Sequence, residues 1–484
     1  MLVFTAAFIG TAAHLFKVWD TYRNNLTRTT IISTYFKYTN VAYPSVTVCD
    51  SSRVDWSRVD KLNLSDFLDR SADKNQSMLM SDFKILLAAL STAQFGAPKD
   101  LNHVKNVYSL RSLNEVHISR LLRQVVRRCE QVFETRCWWR TSWYRCCDLF
   151  ELQKTGYGYC YSFNSDISEK SKLLSLNYGL DGDKRPGWTD WHGQMRPRRT
   201  AGHGPWSGLR FVVRAQPLPS YVNAKSGVVV IVGDPSGFPF ENDVFVGSGK
   251  IGHIGVRGDA VFTTDRLQRL PISKRRCLFP DEGRTLFRGY LRQNCIANCY
   301  RKFVQANCKC SLDFIYYQIP YNSSSKLSPC KMKHLTCLAE YNYAFINHLS
   351  EESINNESEM GSFCKCPDDC VNQKYIAKLF TKNGEASNKV ICDVHFERSF
   401  CSLYRTDISF DYMDALVSYG GIFGLFLGAS LLSMVEIIFH IVRKILSYIP
   451  RKKKEKSNTV SSNNIAVFFK REFPFYYNGA DNYE

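Results

Sequence analysis

Near the carboxyl end, Gly420, Gly424 and Gly428 recur every four residues, with Gly421, Ala429 and Ser430 beside them. They lie in a run, 416–435, of twenty residues without a charge. Small residues at that spacing let helices approach closely, as in any helix-packing face. They also bring backbone carbonyls and a serine hydroxyl near enough to replace the hydration water of an ion. Glu436 favours the second use. A carboxylate within an apolar span is costly and faces a protein interior or a watery cavity. It lies eight residues after Gly428, near the same face and about 12 Å further along the axis at the helical rise. A simple anchor has no use for it.

The run continues apolar to Val442 and is long enough to cross a hydrocarbon core. Arg443, Lys444, Arg451, Lys452, Lys453 and Lys454 follow it, a cytoplasmic anchor by the positive-inside rule. A second apolar segment, residues 2–16, reads as a span or as a signal peptide with Thr11-Ala12-Ala13 as its small-residue site. Both readings put residues from about 20 to 410 outside the cell. All five Asn-x-Ser/Thr acceptors, Asn25, Asn63, Asn75, Asn322 and Asn356, fall in that interval. So do all 18 cysteines, where disulfides persist.

Composition agrees. The chain has 484 residues, 44% of them hydrophobic and 22% charged, which excludes a disordered chain. A mean hydropathy of −0.26 excludes a bundle of many membrane helices and leaves room for one or two. Of the net charge of +18, residues 443–484 supply nine Lys/Arg against four Asp/Glu, or +5. The other +13 belongs to the outside part, which does not meet chromosomal DNA, so no nucleic-acid partner is expected.

The elements that hold this segment read as a mixed α/β domain. YPSVTVC (43–49), SGVVVIV (226–232) and KVICDVHF (389–396) read as strands, the last feeding the second span. GYGYCYSFN (156–164) is an aromatic strand motif. SDFKILLAAL (81–90) and residues 110–133 carry helical spacing, within a stretch of helical character over 60–150. Residues 177–208 read as a loop, and the tail 452–464 as disordered. Gly247, Gly249 and Gly252 match a dinucleotide fingerprint by letters, without the βαβ context, and read as a glycine-rich loop. The cysteines from 277 to 370 form a disulfide ladder stiffening a helical module; zinc at Cys308/Cys310 or Cys364/Cys366 is disfavoured in an oxidising compartment. His192, His203 and His253 are scattered, and no nucleophile–base set is present, so no enzyme is expected.

GGIFGLFLGASLLSMVE (420–436) resembles the pore helix of the degenerin/epithelial sodium channel family. YPSVTVC, GYCYSFN and the cysteine ladder resemble the same family in the same order, over about residues 1–445, with wording nearest the insect pickpocket branch. The resemblance implies two transmembrane helices flanking a large disulfide-rich α/β extracellular domain. The expected division is 1–19 first span, 20–411 outside domain, 412–442 pore helix and 443–484 cytoplasmic tail. Within the outside domain it is 60–150 finger-like, 226–265 strand core and 277–375 thumb-like. It implies a homo- or heterotrimer in the plasma membrane with both termini cytoplasmic, permeable to sodium, amiloride-blocked and without a cofactor. Gly428, Ala429 and Ser430 match its selectivity filter, Glu436 its inner mouth, and Val417 with Ser418 its gating position. The implied disulfides are Cys49–Cys160, Cys277–Cys370, Cys295–Cys366, Cys299–Cys364, Cys308–Cys337 and Cys310–Cys330, with Cys137 joined to Cys146 or Cys147. Cys129 is then expected to take the leftover neighbour, and Cys392 to pair with Cys401. The sequence departs from the family in three places. It starts inside the first span without the cytoplasmic His-Gly motif, Val417 is bulky, and Ser273-Lys274-Arg275-Arg276 replace the tryptophan that acid-sensing relatives carry before the first ladder cysteine. The alternative is a single-pass surface receptor or adhesion protein with a cleaved signal peptide.

Overall fold

A computed structural model describes residues 2–24, 26–61, 76–92, 114–168, 188–189, 195–200, 202–222, 224–283, 289–316, 328–340, 364–384, 388–428 and 430–448. Asn25, Asn63, Asn75, Asn322, Asn356 and Ala429 lie outside the described residues, as do the tail and most of the 177–208 loop. The chain forms two compact units, one of residues 19–414, the other of residues 1–18 with 415–484.

The larger unit is built on two packed sheets. The first has eight strands. Its axis is the strand Lys250–Thr263, which pairs antiparallel with Asn372–Asn383 on one edge. On the other edge it pairs parallel first with Lys389–Phe396 and then with Phe400–Ile408. Thr27–Lys37 adds outside Phe400–Ile408. Leu209–Arg214, Arg136–Trp139 and Ser142–Arg145 add beyond Lys389–Phe396. The second sheet orders Asp243–Gly247, Gly227–Gly233, Ser45–Asp50, Gly158–Phe163 and Glu151–Thr155, all antiparallel.

Period-two patterning explains the packing. Val46, Val48, Val228, Val230, Val232 and Phe163 of the second sheet meet Phe211, Val213, Ile254, Val256, Val394 and Phe396 of the first in one buried cluster. A second cluster is helical. Gln76–Thr92, Ile118–Val125, Arg292–Cys308 and Leu335–Glu340 bury Phe83, Leu86, Leu121, Phe303, Val304 and Leu338 together. Asp50, at the end of the central strand of the second sheet, forms a buried ion pair with Arg127, and Arg127 also donates to the carbonyls of Gln131 and Arg214. Burial raises the Asp50 carboxyl against the pull of this guanidinium.

Several expectations are corrected here. Helical character was expected through 60–150, yet residues 136–145 form a β-hairpin, because buried Cys137 and Trp139 alternate with outward Arg136 and Trp138, a period of two that suits a half-buried pleat. The strand feeding the second apolar segment is Phe400–Ile408, one further on than Lys389–Phe396. Residues 247–252 are the end of one strand, a two-residue turn at 248–249 and the start of the next, with Gly249 in the left-handed region at φ 72°. Residues 372–375 belong to the sheet rather than to the ladder module.

Disulfides join Cys49–Cys160, Cys277–Cys370, Cys295–Cys366, Cys299–Cys364, Cys308–Cys337 and Cys310–Cys330. Cys137 closes on Cys146, across the base of the 136–145 hairpin, and Cys147 takes Cys129. The expected Cys392–Cys401 bond does not form, and both thiols are free and buried. Register explains this. Cys392 lies opposite Gly252, while Leu403 lies opposite Ala260, eight residues further along the same strand. At about 3.3 Å per residue that separates Cys401 from Cys392 by roughly 20 Å, against the ~7 Å limit for a bridge.

Two outcomes follow. Denatured without reductant, the protein should bind two equivalents of a thiol reagent by mass, and Cys392→Ser with Cys401→Ser should bind none; zero equivalents in the parent chain would mean the two are joined. Asp50→Ala leaves a buried guanidinium without its carboxylate and should cost about 3–5 kcal/mol, read as a lower thermal midpoint of the solubilised protein.

Candidate functional site

The apolar run that reads as one span folds as two helices, Tyr412–Leu427 and Leu431–Tyr448. Gly428 sits at φ 64°, where an L side chain is strained, and its N–H still bonds the Gly424 carbonyl at 3.1 Å. That is a glycine helix terminus. Ser430 begins the next helix. Its Oγ accepts the Ser433 N–H at 3.2 Å and lies 3.0 Å from the Ser433 hydroxyl, the bond of a serine N-cap. The residues expected to contact an ion are thus those that end one helix and start another, where carbonyls and a hydroxyl leave the helical ladder. Among the described residues no helix is long and apolar enough to cross a membrane; the break divides the apolar run into helices of 16 and 18 residues.

The break also corrects the phase argument for Glu436. Gly420, Gly421 and Gly424 lie on the first helix, Gly428 just past its end and Glu436 on the second, so no single helical face carries both Gly428 and Glu436. Glu436 is exposed, six residues after Ser430, about 9 Å along the second helix. Val417 is 73% exposed, with Ser418 half-buried beside it. A Cβ added to Gly421 would meet nothing within 4 Å.

The first apolar segment is a helix, Leu2–Asn24, longer than the 2–16 run because Lys17, Asp20 and Arg23 continue it. Within the smaller unit it packs on the second segment. A Cβ at Gly10 would approach Phe426 to 3.1 Å, and the His14 ring lies tilted against the same ring, centroids 5.4 Å apart. Phe8, Ile9, Phe16, Leu425, Leu432 and Ile438 are more than half exposed. Apolar surface of that extent marks a lipid or partner contact.

In the larger unit, the segments leading to these helices are held side by side. Thr27–Lys37 and Phe400–Ile408 pair from Thr27 opposite Ile408 to Lys37 opposite Phe400. The Ser409 N–H donates to the Leu26 carbonyl at 2.8 Å. Thr264 donates to Asp407, holding that carboxyl below its ordinary range. Where a tryptophan was noted as missing, the Lys274 ammonium lies over the Tyr22 ring at 5.2 Å. That cation–π contact ties the end of the first helix to the segment before Cys277. Sequence reading missed it, because the pairing joins residues some 250 positions apart.

A cavity of about 650 Å³ opens beside the ladder, lined in part by Asp234, Glu241, Asp259, Asp369 and Arg292. Burial, with Asp166 and Asp369 nearby, raises the Asp234 carboxyl to about 6, against the Ser236 N–H that donates to it. Its folded-state pKa lies above the ordinary value of 3.8. The native fold therefore holds a proton that the unfolded chain releases, and this group's contribution strengthens as pH falls from about 6 to 4. Asp234→Asn keeps the turn acceptor and should raise the thermal midpoint at pH 7.5 more than at pH 5; an equal shift at both would show that the carboxyl does not titrate there.

In chain order, a disulfide-rich, two-sheet domain follows a leading helix and precedes a glycine-broken apolar segment. The family model described as "Amiloride-sensitive sodium channel" matches residues 1–440, and the chain belongs to that family. Its members are plasma-membrane ion channels rather than enzymes. The chain is 24% identical to pickpocket protein 19 of Drosophila melanogaster over 429 residues, 85% of this chain and 78% of that one. It is 23% identical to sodium channel protein Nach of Drosophila ananassae, covering 89% and 80% of the two chains. With acid-sensing ion channel 1A of Danio rerio it shares 24% identity over 62% and 55%.

Proposed function

We propose that this chain is a subunit of a sodium-selective, amiloride-sensitive channel, opened by an extracellular ligand or by force on its outside domain. The helix break over residues 428–430 carries the reading. It supplies a left-handed glycine and a capping serine within an apolar segment. Gly428, Ala429 and Ser430 form the filter, whose carbonyls and hydroxyl stand in for hydration water. Glu436 attracts cations at the inner mouth. Gly420, Gly421 and Gly424 let neighbouring helices pack around the pore, and Val417 with Ser418 lies at the gate. Leu2–Asn24 and residues 412–442 cross the membrane with both termini cytoplasmic, and three such subunits, identical or related, surround the path.

The Thr27–Lys37 and Phe400–Ile408 ladder couples the outside domain to both spans, and Lys274 over Tyr22 adds a second tie. The glycosylation sites Asn25, Asn63, Asn75, Asn322 and Asn356 belong on the outside.

Voltage-clamp of cells expressing the chain, alone and with pickpocket-type subunits, should show an amiloride-blocked sodium current. Ser430→Leu should abolish it. Gly428→Ala imposes a left-handed alanine costing about 1–2 kcal/mol and should cut conductance about tenfold or lose sodium selectivity. Silence in every combination, with the protein present at the surface, overturns the reading.

A further inference from the structure

The hairpin at residues 136–145 contains none of the residues proposed for the pore, yet its composition is extreme. It holds three arginines and three aromatic side chains beyond its buried Trp139, with no acid. Its pleat sorts them. Cys137 and Trp139 point into the core at 0% and 2% exposure. Arg136 and Trp138 point outward, and register sets Arg145 opposite Arg136 and Trp143 opposite Trp138. Arg140 sits at the turn with φ 60°, and all three arginines are exposed. Like charges directly opposite on a ladder destabilise it. Among the described residues no carboxylate pairs with Arg136, Arg140 or Arg145. An unneutralised arginine pair held in rigid register is a cost that an anionic partner would remove.

The indoles extend the face. Trp138 stands edge-on to Trp143 at 5.3 Å and to Trp206 at 5.8 Å, and donates its Nε1–H to the Trp206 carbonyl at 2.8 Å. Trp206, at φ 69°, is held out by the Arg210 guanidinium 3.9 Å over its ring. Trp143 and Trp206 remain 52% and 45% exposed.

We propose that this outward face is a docking surface for a sulfated polysaccharide. Exposed indole π-faces stack on the C–H faces of pyranose rings, and guanidinium groups bind sulfate oxygens in bidentate fashion. An acidic peptide would satisfy the arginines and leave the indoles without a flat partner. The proposal rests on the outside placement of this domain, which labelling of intact cells verifies independently of current.

The test uses the full chain on cells, with fluorescent heparin as probe and fully desulfated heparin as its comparison, at equal surface expression. The triple variant Arg136→Gln, Arg140→Asn, Arg145→Gln should lower retained heparin at least fivefold. Trp143→Ala should lower it about threefold, with Trp143→Phe recovering part. The comparison variant Lys61→Gln, Lys302→Gln, Lys309→Asn removes the same charge from exposed sites elsewhere and should stay within twofold of the parent. Equal loss in both triple variants would reduce the effect to net charge and overturn the proposal. So would no retention by the parent, indifference to desulfation, or a triple variant whose loss of retention accompanies loss of subunit cross-linking, which would make the face a contact between copies. A chain that passes no current but retains heparin leaves this proposal standing and removes the channel reading alone.

Discussion

The antiparallel ladder between Thr27–Lys37 and Phe400–Ile408 is the constraint on which the larger unit depends. It closes a chain segment of some 370 residues, and the entropy of that closure must be offset by everything folded in between. The long strand Lys250–Thr263 makes the closure possible, because its one edge accepts both Lys389–Phe396 and Phe400–Ile408 in parallel register. The disulfides reduce the number of unfolded arrangements that compete with it. Cys49–Cys160 crosses neighbouring strands where register already sets the two residues opposite each other.

The broken apolar helix obeys local rules instead. Glycine alone reaches φ 64° without strain, and serine is a strong N-cap, so residues 428–430 would end one helix and start another in most surroundings. Ion coordination and helix termination need the same feature, backbone oxygens not spent on the helical ladder. This is why a filter and a helix break occupy the same residues in the reading favoured here.

Legibility followed the range of the interaction. The helical spacing over 81–90, the strand at 389–396 and the glycine–serine segment at 428–430 stood out because their patterns are local in sequence. The phase of Glu436 was misjudged because a continuous helix was assumed across a glycine and a cap that mark a stop. The 136–145 hairpin was read as helix because apolar spacing upstream carried over a turn at Arg140, whose left-handed backbone carries no sequence mark as plain as a glycine. The Cys392–Cys401 pairing failed because sequence proximity, nine positions, says nothing about register on a shared neighbour.

By itself the sequence determined the two apolar segments, the glycine–serine break and the family that these together resemble, since each depends on composition or on residues within a few positions. Tertiary structure alone decided which neighbour of Cys146/Cys147 closes the hairpin, and that Cys392 and Cys401 stay apart. It alone set Lys274 over Tyr22, and it alone gathered Trp138, Trp143 and Trp206 on one exposed face. Whether the partners lie five positions apart, as Trp138 and Trp143 do, or some 250, as Tyr22 and Lys274 do, they are chosen by sheet register and packing, which no local pattern encodes.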